Sequence, residues 1–178
     1  STGNTKNTYG QTKYIIESIL KDINKSKPNW NISILRYFNP IGAHSSGLIG
    51  EDPAGIPDNL MPYICKVAVG ELETLNIFGN NYPTKDGTGI RDYIHVVDLA
   101  RGHIAALKFI LSKNHKNISI FNLGTGKGTS VLELLHAFES ASGINIPYVF
   151  VEDREGDVSE CWASTIEVES KLGWKAKH

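Results

Sequence analysis

A tyrosine and a lysine near the start of the chain, Tyr9 and Lys13, have a spacing that suits acid–base chemistry. Residues four positions apart lie on the same face of a helix. A fixed ammonium group favours the charged form of a neighbouring phenol, and a phenolate can take a proton from a substrate hydroxyl. The pair therefore fits a general base, Tyr9, tuned by Lys13. The same spacing is common on ordinary helices, so the pair taken alone favours two unremarkable surface residues.

Two arginines in glycine-bearing loops form a second candidate: Arg91, within residues 89–93, and Arg154, within residues 154–157. The planar guanidinium matches phosphate geometry, so two such loops could hold one pyrophosphate. The alternative is a pair of surface salt bridges with Asp92 and Asp157. Each motif taken alone is explained at least as well by the salt bridge.

The segment GTGKGT at residues 124–129 stands between a predicted strand and a predicted helix. Backbone amides at a helix start can cradle a phosphate. The glycine spacing matches neither the P-loop nor the dinucleotide fingerprint, however. We therefore favour a tight strand–helix turn with room for one ligand contact.

Metal and disulfide chemistry are not predicted. The six histidines are scattered, and none forms a pair at the four-residue spacing of a helical metal site. The two cysteines, Cys65 and Cys161, are far apart and have no histidine or carboxylate neighbours at metal-ligand spacing. The first residues do not resemble a secretory signal. We therefore expect a cytoplasmic protein without a metal.

Composition limits the class of partner. The chain has 178 residues, 40% of them hydrophobic and 21% charged, with a formal net charge of −1. These values are typical of a globular protein of about one domain. A nearly neutral chain has no basic field for a polyanion, which argues against nucleic acid. It also lacks the run of about 18 apolar residues typical of a membrane-spanning helix.

Hydrophobic periodicity and turn residues predict alternating helices and strands, which indicates an α/β fold with a largely parallel sheet. A long glycine- and proline-rich loop over residues 39–58 interrupts the alternation, and loops of this length are often functional. Ser130 is predicted to cap one of the helices. The predicted helices cover residues 8–26, 59–70, 97–112, 131–142 and 165–172, and the predicted strands residues 32–38, 75–78, 92–95, 118–123 and 148–151.

The motifs together resemble a known family. The Tyr9–Lys13 pair and the string RYFNPIGAH at residues 36–44 resemble the extended short-chain dehydrogenase/reductase superfamily. Longer strings are similar to the UDP-glucose (UDP-galactose) 4-epimerase family within it. These are GEDPAGIPDNLMPYI at 50–64, IFGNNYPT at 77–84, DGTGIRDYIHV at 86–96 and REGD at 154–157. The resemblance extends from about residue 8 to residue 175.

The resemblance implies an NAD-dependent isomerase that interconverts UDP-galactose and UDP-glucose. NAD would take the hydride from sugar C4 while Tyr9 accepts the proton of the 4-hydroxyl, and Lys13 would also bond the nicotinamide ribose. The hydride would return to the opposite face of the 4-keto sugar. Two alternatives remain: a related nucleotide-sugar 4,6-dehydratase or uronate epimerase, and a non-catalytic nucleotide-sugar-binding fragment.

Family positions carry over to this sequence residue by residue. Tyr37 and Phe38 would lie near the nicotinamide, and both are also expected near the substrate. The remaining positions would bind the nucleotide-sugar: Asn39 at the sugar-diphosphate, Asn59 and Leu60 over the diphosphate and nucleotide, Asn76, Ile77 and Phe78 at the uracil, Arg91 and Arg154 at the phosphates, Asp157 at the ribose, and Tyr93 and Val131 as secondary contacts.

Cys161 bears on substrate choice. It falls where some family members have a tyrosine against the sugar. A cysteine leaves more room beside the 2-substituent, so the resemblance implies that UDP-GalNAc and UDP-GlcNAc are accepted as well.

The resemblance also implies a domain organisation. Residues 1–40 would be the tail of an NAD-binding Rossmann (doubly wound) domain that carries the Tyr–Lys helix, with the polar residues 1–7 as the loop leading into it. Residues 41–178 would be mainly a smaller mixed α/β substrate domain, with the segment near 80–125 returning to the Rossmann domain. We expect the glycine-rich NAD-binding half to precede this chain, the isolated chain to be inactive, and the parent to be a homodimer.

Overall fold

The computed structural model describes residues 7–112 and 118–178. The expectation for the polar opening segment falls almost wholly on residues 1–6, outside that part of the chain. In chain order the elements are α1 Thr8–Ser26, β1 Ile32–Tyr37, β2 Asn39–Ile41, α2 Leu60–Ala68, β3 Leu75–Phe78, β4 Ile90–Arg91, β5 Tyr93–His95, α3 Val96–Leu111, β6 Ile118–Leu123, β7 Thr129–Ser130, α4 Val131–Ser142, β8 Tyr148–Val151, β9 Glu160–Cys161 and α5 Ile166–Leu172.

The helix ends follow local chemistry. The side chain of Asn7 accepts a hydrogen bond from the backbone N–H of Gly10 and caps α1. The predicted cap of α4 is confirmed: Ser130 and Glu133 form a reciprocal capping box, which satisfies two backbone donors at once. Gly143 ends the same helix in the left-handed conformation. All five predicted helices form, each within two residues of its predicted ends.

The strands pair mainly in parallel, as the alternation predicted. β1 pairs with β6, β2 with β5, β3 with β8 and β4 with β9, all parallel, while β4 also pairs antiparallel with β7. The strand pairs are distributed over four small sheets.

The short strands depart from the prediction. The start of the predicted loop at 39–58 forms β2, and the predicted strand at 92–95 is preceded by β4, with Asp92 between β4 and β5. β7 and β9 were not predicted at all. Two-residue ladders carry no alternation of apolar and polar residues, so only their partners elsewhere in the chain define them.

Two apolar clusters hold these elements. One lies between α2, β3 and α4 and includes Ile64, Leu75 and Leu135. The other, with Phe121 and Trp174 among its members, packs β6 and α3 against α5 and the segment that follows it. Among the described residues, no helix combines the length and apolar character that crossing a bilayer requires.

Candidate functional site

A fully buried carboxylate, Asp92, organises the centre of the candidate site. Its carboxylate accepts hydrogen bonds from the backbone N–H of Thr125 at 2.8 Å, of Gly126 at 2.9 Å and of Ala163 at 3.1 Å. The Thr125 hydroxyl donates a further bond at 2.7 Å. We call these four residues the Asp92 cluster. Asp92 therefore does not form the surface salt bridge with Arg91 that was one alternative for its motif.

The Asp92 cluster also decides between the two interpretations of residues 124–129. The amides of Thr125 and Gly126, which could have cradled a phosphate, are occupied by the Asp92 carboxylate. The segment is thus a turn built around an internal anion. Gly124 has to be a glycine here, since a Cβ at that position would lie 2.6 Å from the Asp92 carboxylate.

The backbone of Asp92 joins three segments that carry predicted site residues. Its carbonyl accepts from the N–H of Asn39 at 2.9 Å, and its N–H donates to the carbonyl of Cys161 at 3.2 Å. Arg91 precedes it and pairs in register with Cys161 across β4 and β9. Asn39, Arg91 and Cys161 are therefore held together, although they come from distant parts of the sequence.

The two arginines lie in different environments. Arg91 is largely buried, and its guanidinium donates to the Asp157 carboxylate at 3.1 Å and to the Ile90 carbonyl at 2.9 Å. Arg154 is exposed and stacks over the ring of Phe78, with 3.9 Å from the guanidinium carbon to the ring centre. Asp157 pairs with Arg91 in the structure, whereas the salt-bridge alternative had paired it with Arg154.

Two tyrosines near this region keep their phenol protons. Burial raises the pKa of Tyr93 to about 12 against the lowering effect of Arg91. Burial also raises the pKa of Tyr82, and the Asp153 and Asp157 carboxylates add to the effect. The Tyr82 hydroxyl is buried and makes no hydrogen bond within the described residues. Neither phenol is suited to act as a base.

The Tyr9–Lys13 pair lies on α1 as its spacing predicted. The Lys13 ammonium is 5.1 Å from the centre of the Tyr9 ring, and Tyr9 is 71% exposed. Arg36 of β1 anchors the helix through two hydrogen bonds of 2.6 Å to the Glu17 carboxylate. This bond lowers the pKa of Glu17 against the opposing effect of its burial.

Tyr37 closes β1 and is half exposed. Its hydroxyl lies 2.8 Å from Nε2 of His103 on α3, and the two ring centres are 5.2 Å apart. His103 also lies beside Tyr37, although the sequence did not predict it as a site residue. Its position within a helix indicated only a polar or partly buried histidine. No local signal indicates it, because the two residues are 66 positions apart.

The remaining predicted positions lie along the same segments. Asn59 precedes α2 and donates to the Glu51 carboxylate at 2.9 Å, while Leu60 starts that helix. Asn76 and Phe78 are half-buried, but Ile77 between them packs into the first apolar cluster and leaves only its backbone for a ligand. The other positions are Phe38, which donates its backbone N–H to the Leu123 carbonyl, and Val131, which donates its own to the Gly89 carbonyl.

The described residues contain no group of three or more histidine, cysteine, aspartate or glutamate side chains arranged to hold a metal ion. The predicted site residues carry cationic, aromatic, amide and phenol groups. Such groups suit a flat, anionic ligand such as a nucleotide.

The chain is similar to known proteins over nearly all its length. It is 57% identical over 171 residues to UDP-glucose 4-epimerase of Bacillus subtilis, covering 96% of this chain and 50% of that protein. It is 55% identical to UDP-glucose 4-epimerase of Homo sapiens, covering 98% of this chain and 50% of that one. The chain therefore spans about half the length of the curated relatives that it matches.

Solved structures show the same similarity. The chain superposes on UDP-glucose 4-epimerase from Bifidobacterium longum in complex with NAD+ and UDP with a TM-score of 0.95 and 52% identity, covering all of this chain and 52% of that one. A Stenotrophomonas maltophila UDP-glucose 4-epimerase with bound NAD gives a TM-score of 0.90 and 49% identity, covering 96% of this chain and 50% of that one. A family model matches residues 1–124. The chain belongs to the NAD dependent epimerase/dehydratase family.

Proposed function

We propose that this chain supplies the proton-transfer helix and the nucleotide-sugar site of an enzyme that interconverts UDP-galactose and UDP-glucose. The observation that carries the proposal is the backbone junction at Asp92, since it brings Asn39, Arg91 and Cys161 to one place. The identity of 55–57% to UDP-glucose 4-epimerases supports the same activity.

The nucleotide is proposed to lie between the two arginines. Arg91 and Arg154 would face the diphosphate, where charged hydrogen bonds are strong and geometrically specific. The ring of Phe78, over which Arg154 stacks on one face, would lie against the uracil. Asp157 would accept a ribose hydroxyl while it holds Arg91 in place.

The remaining nucleotide-sugar contacts are proposed from the family positions. Asn39 would contact the sugar-diphosphate, and Asn59 and Leu60 would cover the nucleotide. Asn76 and the backbone of Ile77 would complete the uracil site. Tyr93 and Val131 would be secondary contacts.

Proton transfer is assigned to α1. Tyr9, in its phenolate form, would accept the proton of the sugar 4-hydroxyl. It would return the proton after the 4-keto sugar has rotated in the site. The Lys13 ammonium lies 5.1 Å from the centre of the Tyr9 ring. NAD, when bound, supplies the acceptor and donor of the hydride.

The residues present fit such a cofactor. In parallel α/β sheets, ligands bind beyond the carboxyl ends of the strands. Tyr37 ends β1 and is half exposed at that edge, followed by Phe38. Tyr37, Phe38 and Lys13 would therefore hold the nicotinamide end of NAD.

The domain organisation is part of the proposal. Residues 1–40 would complete an NAD-binding unit, and residues 41–178 would mainly form the substrate unit. The segment near 80–125 would return to the first unit. The parallel pairing of β6 with β1 along its whole length supports that return.

The parent enzyme is proposed to be a cytoplasmic homodimer. The apolar side chains of Ile15, Ile16 and Ile19 are exposed along α1 in this chain. A partner that covers this helix would remove them from water.

Substrate range is proposed to include UDP-GalNAc and UDP-GlcNAc. Cys161 is a small, exposed side chain beside Arg91 in the β4–β9 register. Turnover of UDP-GalNAc by a complete enzyme with Cys161 should fall when Cys161→Tyr is introduced, with UDP-galactose turnover retained. Equal UDP-GalNAc activity in both proteins would refute this part.

The central experiment uses the chain alone and a fused enzyme, in which the N-terminal half of the Bacillus subtilis relative precedes this chain. The chain should bind UDP in a calorimetric titration. The fused enzyme should convert UDP-galactose to UDP-glucose, and its Tyr9→Phe variant should bind UDP but lose turnover. A fused enzyme that binds UDP without turnover would favour the alternative of a non-catalytic nucleotide-sugar-binding protein.

A further inference from the structure

His103 links the helix α3 to Tyr37 through a continuous chain of hydrogen bonds. Its Nδ1 lies 2.9 Å from the carbonyl oxygen of Leu99, one helical turn earlier. Its Nε2 lies 2.8 Å from the Tyr37 hydroxyl. The two rings are inclined at 58° with their centres 5.2 Å apart, so they are not stacked face to face and the hydroxyl points at the edge of the imidazole.

The chemistry of these atoms fixes the direction of each bond. A backbone carbonyl can only accept, so Nδ1 of His103 must carry a proton and donate it to Leu99. A neutral imidazole carries one ring proton, so Nε2 is then an acceptor. The Tyr37 hydroxyl must therefore donate its proton to His103.

A phenol has one proton to donate. With that proton committed to His103, the Tyr37 oxygen offers only lone pairs to its exposed side. We propose that His103 is a positioning residue that makes Tyr37 a hydrogen-bond acceptor toward the ligand. Tyr37 then selects an N–H or O–H donor, which a nicotinamide carboxamide or a sugar hydroxyl would provide. This inference rests on the proposed function for the identity of the ligand, but not for the bond directions.

The bond also fixes where the acceptor lies. Tyr37 is half exposed at the end of β1, and a phenol in that setting would otherwise rotate its hydroxyl to bond water. His103 comes from an element packed on β1 and is partly shielded from solvent. Binding therefore does not have to reorient the Tyr37 hydroxyl, which lowers the cost of ligand association.

The bond directions are testable without turnover. In the fused enzyme with ¹⁵N-labelled histidine, long-range ¹H–¹⁵N correlation spectra should show His103 as the neutral tautomer protonated at Nδ1. The Tyr37→Phe variant should retain that tautomer and shift the Nε2 resonance, because the donor to Nε2 has been removed. His103 protonated at Nε2, in either the neutral or the doubly protonated form, would overturn the proposal, whatever the activity of the enzyme.

Two substitutions separate the two hydrogen bonds of His103. His103→Asn places an amide N–H₂ near the position of Nδ1 and can still donate to Leu99, but leaves Tyr37 without its acceptor. His103→Gln is longer and can place a carbonyl oxygen near the position of Nε2, where it accepts from Tyr37. We expect His103→Asn to weaken ligand binding about three- to tenfold, the range for one neutral hydrogen bond, and His103→Gln to restore most of the loss.

The ligand donor is identified by measuring two constants. A loss confined to NAD affinity, and absent for the acetylpyridine analogue that lacks the carboxamide N–H₂, assigns the donor to the carboxamide. A loss confined to the KM for UDP-galactose assigns it to a sugar hydroxyl. Equal effects of His103→Asn and His103→Gln, or an effect of His103→Asn that persists in a Tyr37→Phe background, would overturn the proposal.

Discussion

The proposed nucleotide side of the site and the helix α1 are built in different ways. Around the Asp92 cluster, Arg91 is fixed by the buried Asp92 next to it in sequence and by Asp157 across the site. Tyr9, by contrast, is 71% exposed with its ring beside the Lys13 ammonium. The difference indicates that the chain fixes Arg91 through its own contacts. The side chain of Tyr9 is left largely open to solvent.

The largest effect is expected for Asp92→Ala. It removes the acceptor of three backbone N–H groups, at Thr125, Gly126 and Ala163. The Ala163 N–H is buried and the Thr125 N–H is partly buried, whereas Gly126 is exposed and can bond to water instead. Each buried donor left without a partner costs about 1–3 kcal/mol, so the free energy of unfolding should fall by about 3 kcal/mol. Urea unfolding of the chain measures this, and UDP affinity should fall in parallel.

The matched control is Asp22→Ala, which removes an exposed carboxylate paired with Lys25 at 3.1 Å. Exposed ion pairs contribute about 0–1 kcal/mol, so this variant should be nearly neutral. Equal stability losses for Asp22→Ala and Asp92→Ala would contradict the organising role of Asp92.

Next in size is the loss of UDP affinity on replacing Arg91. Arg91→Lys keeps the charge but not the planar fork, so it should weaken UDP binding about tenfold or more while changing stability little. Arg101→Lys, at an exposed arginine that pairs with Asp98, is the control and should leave UDP affinity unchanged. Calorimetric titration with UDP measures both affinities. Identical UDP affinities in Arg91→Lys and Arg101→Lys would contradict a role of Arg91 in UDP binding.

A buried carboxylate outside the proposed nucleotide site, Asp98, provides a pH test. Burial alone would raise its pKa, but hydrogen bonds from His178, Lys177 and Arg101 outweigh this and lower the pKa to about 2. Asp98 therefore stabilises the fold fully above its unfolded pKa of about 4, and the contribution is lost as the pH falls through about 2.

The expected contribution of Asp98 is of the order of 2 kcal/mol at neutral pH. In urea unfolding, Asp98→Asn should lower stability at pH 6 and flatten the stability profile between about pH 4 and pH 2. A variant profile parallel to that of the unsubstituted chain in this range would show that the Asp98 carboxylate is not linked to folding.

The smallest effect on stability and UDP binding is expected at Tyr9. Tyr9→Phe removes only an exposed hydroxyl, so the free energy of unfolding should change by less than about 0.5 kcal/mol and UDP affinity should not change. Turnover by the fused enzyme should nevertheless be lost. A stability loss comparable with that of Asp92→Ala would show that α1 is as tightly integrated as the nucleotide side.

Much of the fold was predictable because its signals are local. The helix at residues 131–142 follows from its apolar periodicity and from Ser130, whose capping partner is only three residues away. The two-residue strands were not predictable in this way. Their residues pair across the sequence, as Arg91 does with Thr129 and Cys161.

The candidate site also contains residues that local sequence predicts and residues that it does not. The Tyr9–Lys13 pair follows from spacing, because a helix determines which side chains share a face. The partners of the Asp92 carboxylate are 33 to 71 positions away in sequence, and the Tyr37 partner of His103 is 66 positions away. No local pattern encodes these contacts. The sequence therefore suggested a surface salt bridge for Asp92 where the fold has a buried anion.

The register of β4 and β9 has a consequence for how such an enzyme diversifies. Arg91 and Cys161 are opposite one another, and the Cys161 carbonyl is held by the backbone N–H of Asp92 whatever side chain the residue carries. Because Cys161 is proposed to face the sugar, a substitution at this position would alter that group without disturbing the hydrogen bond that places it. Under the proposed function, sugar preference could drift between lineages while recognition of the nucleotide is inherited unchanged.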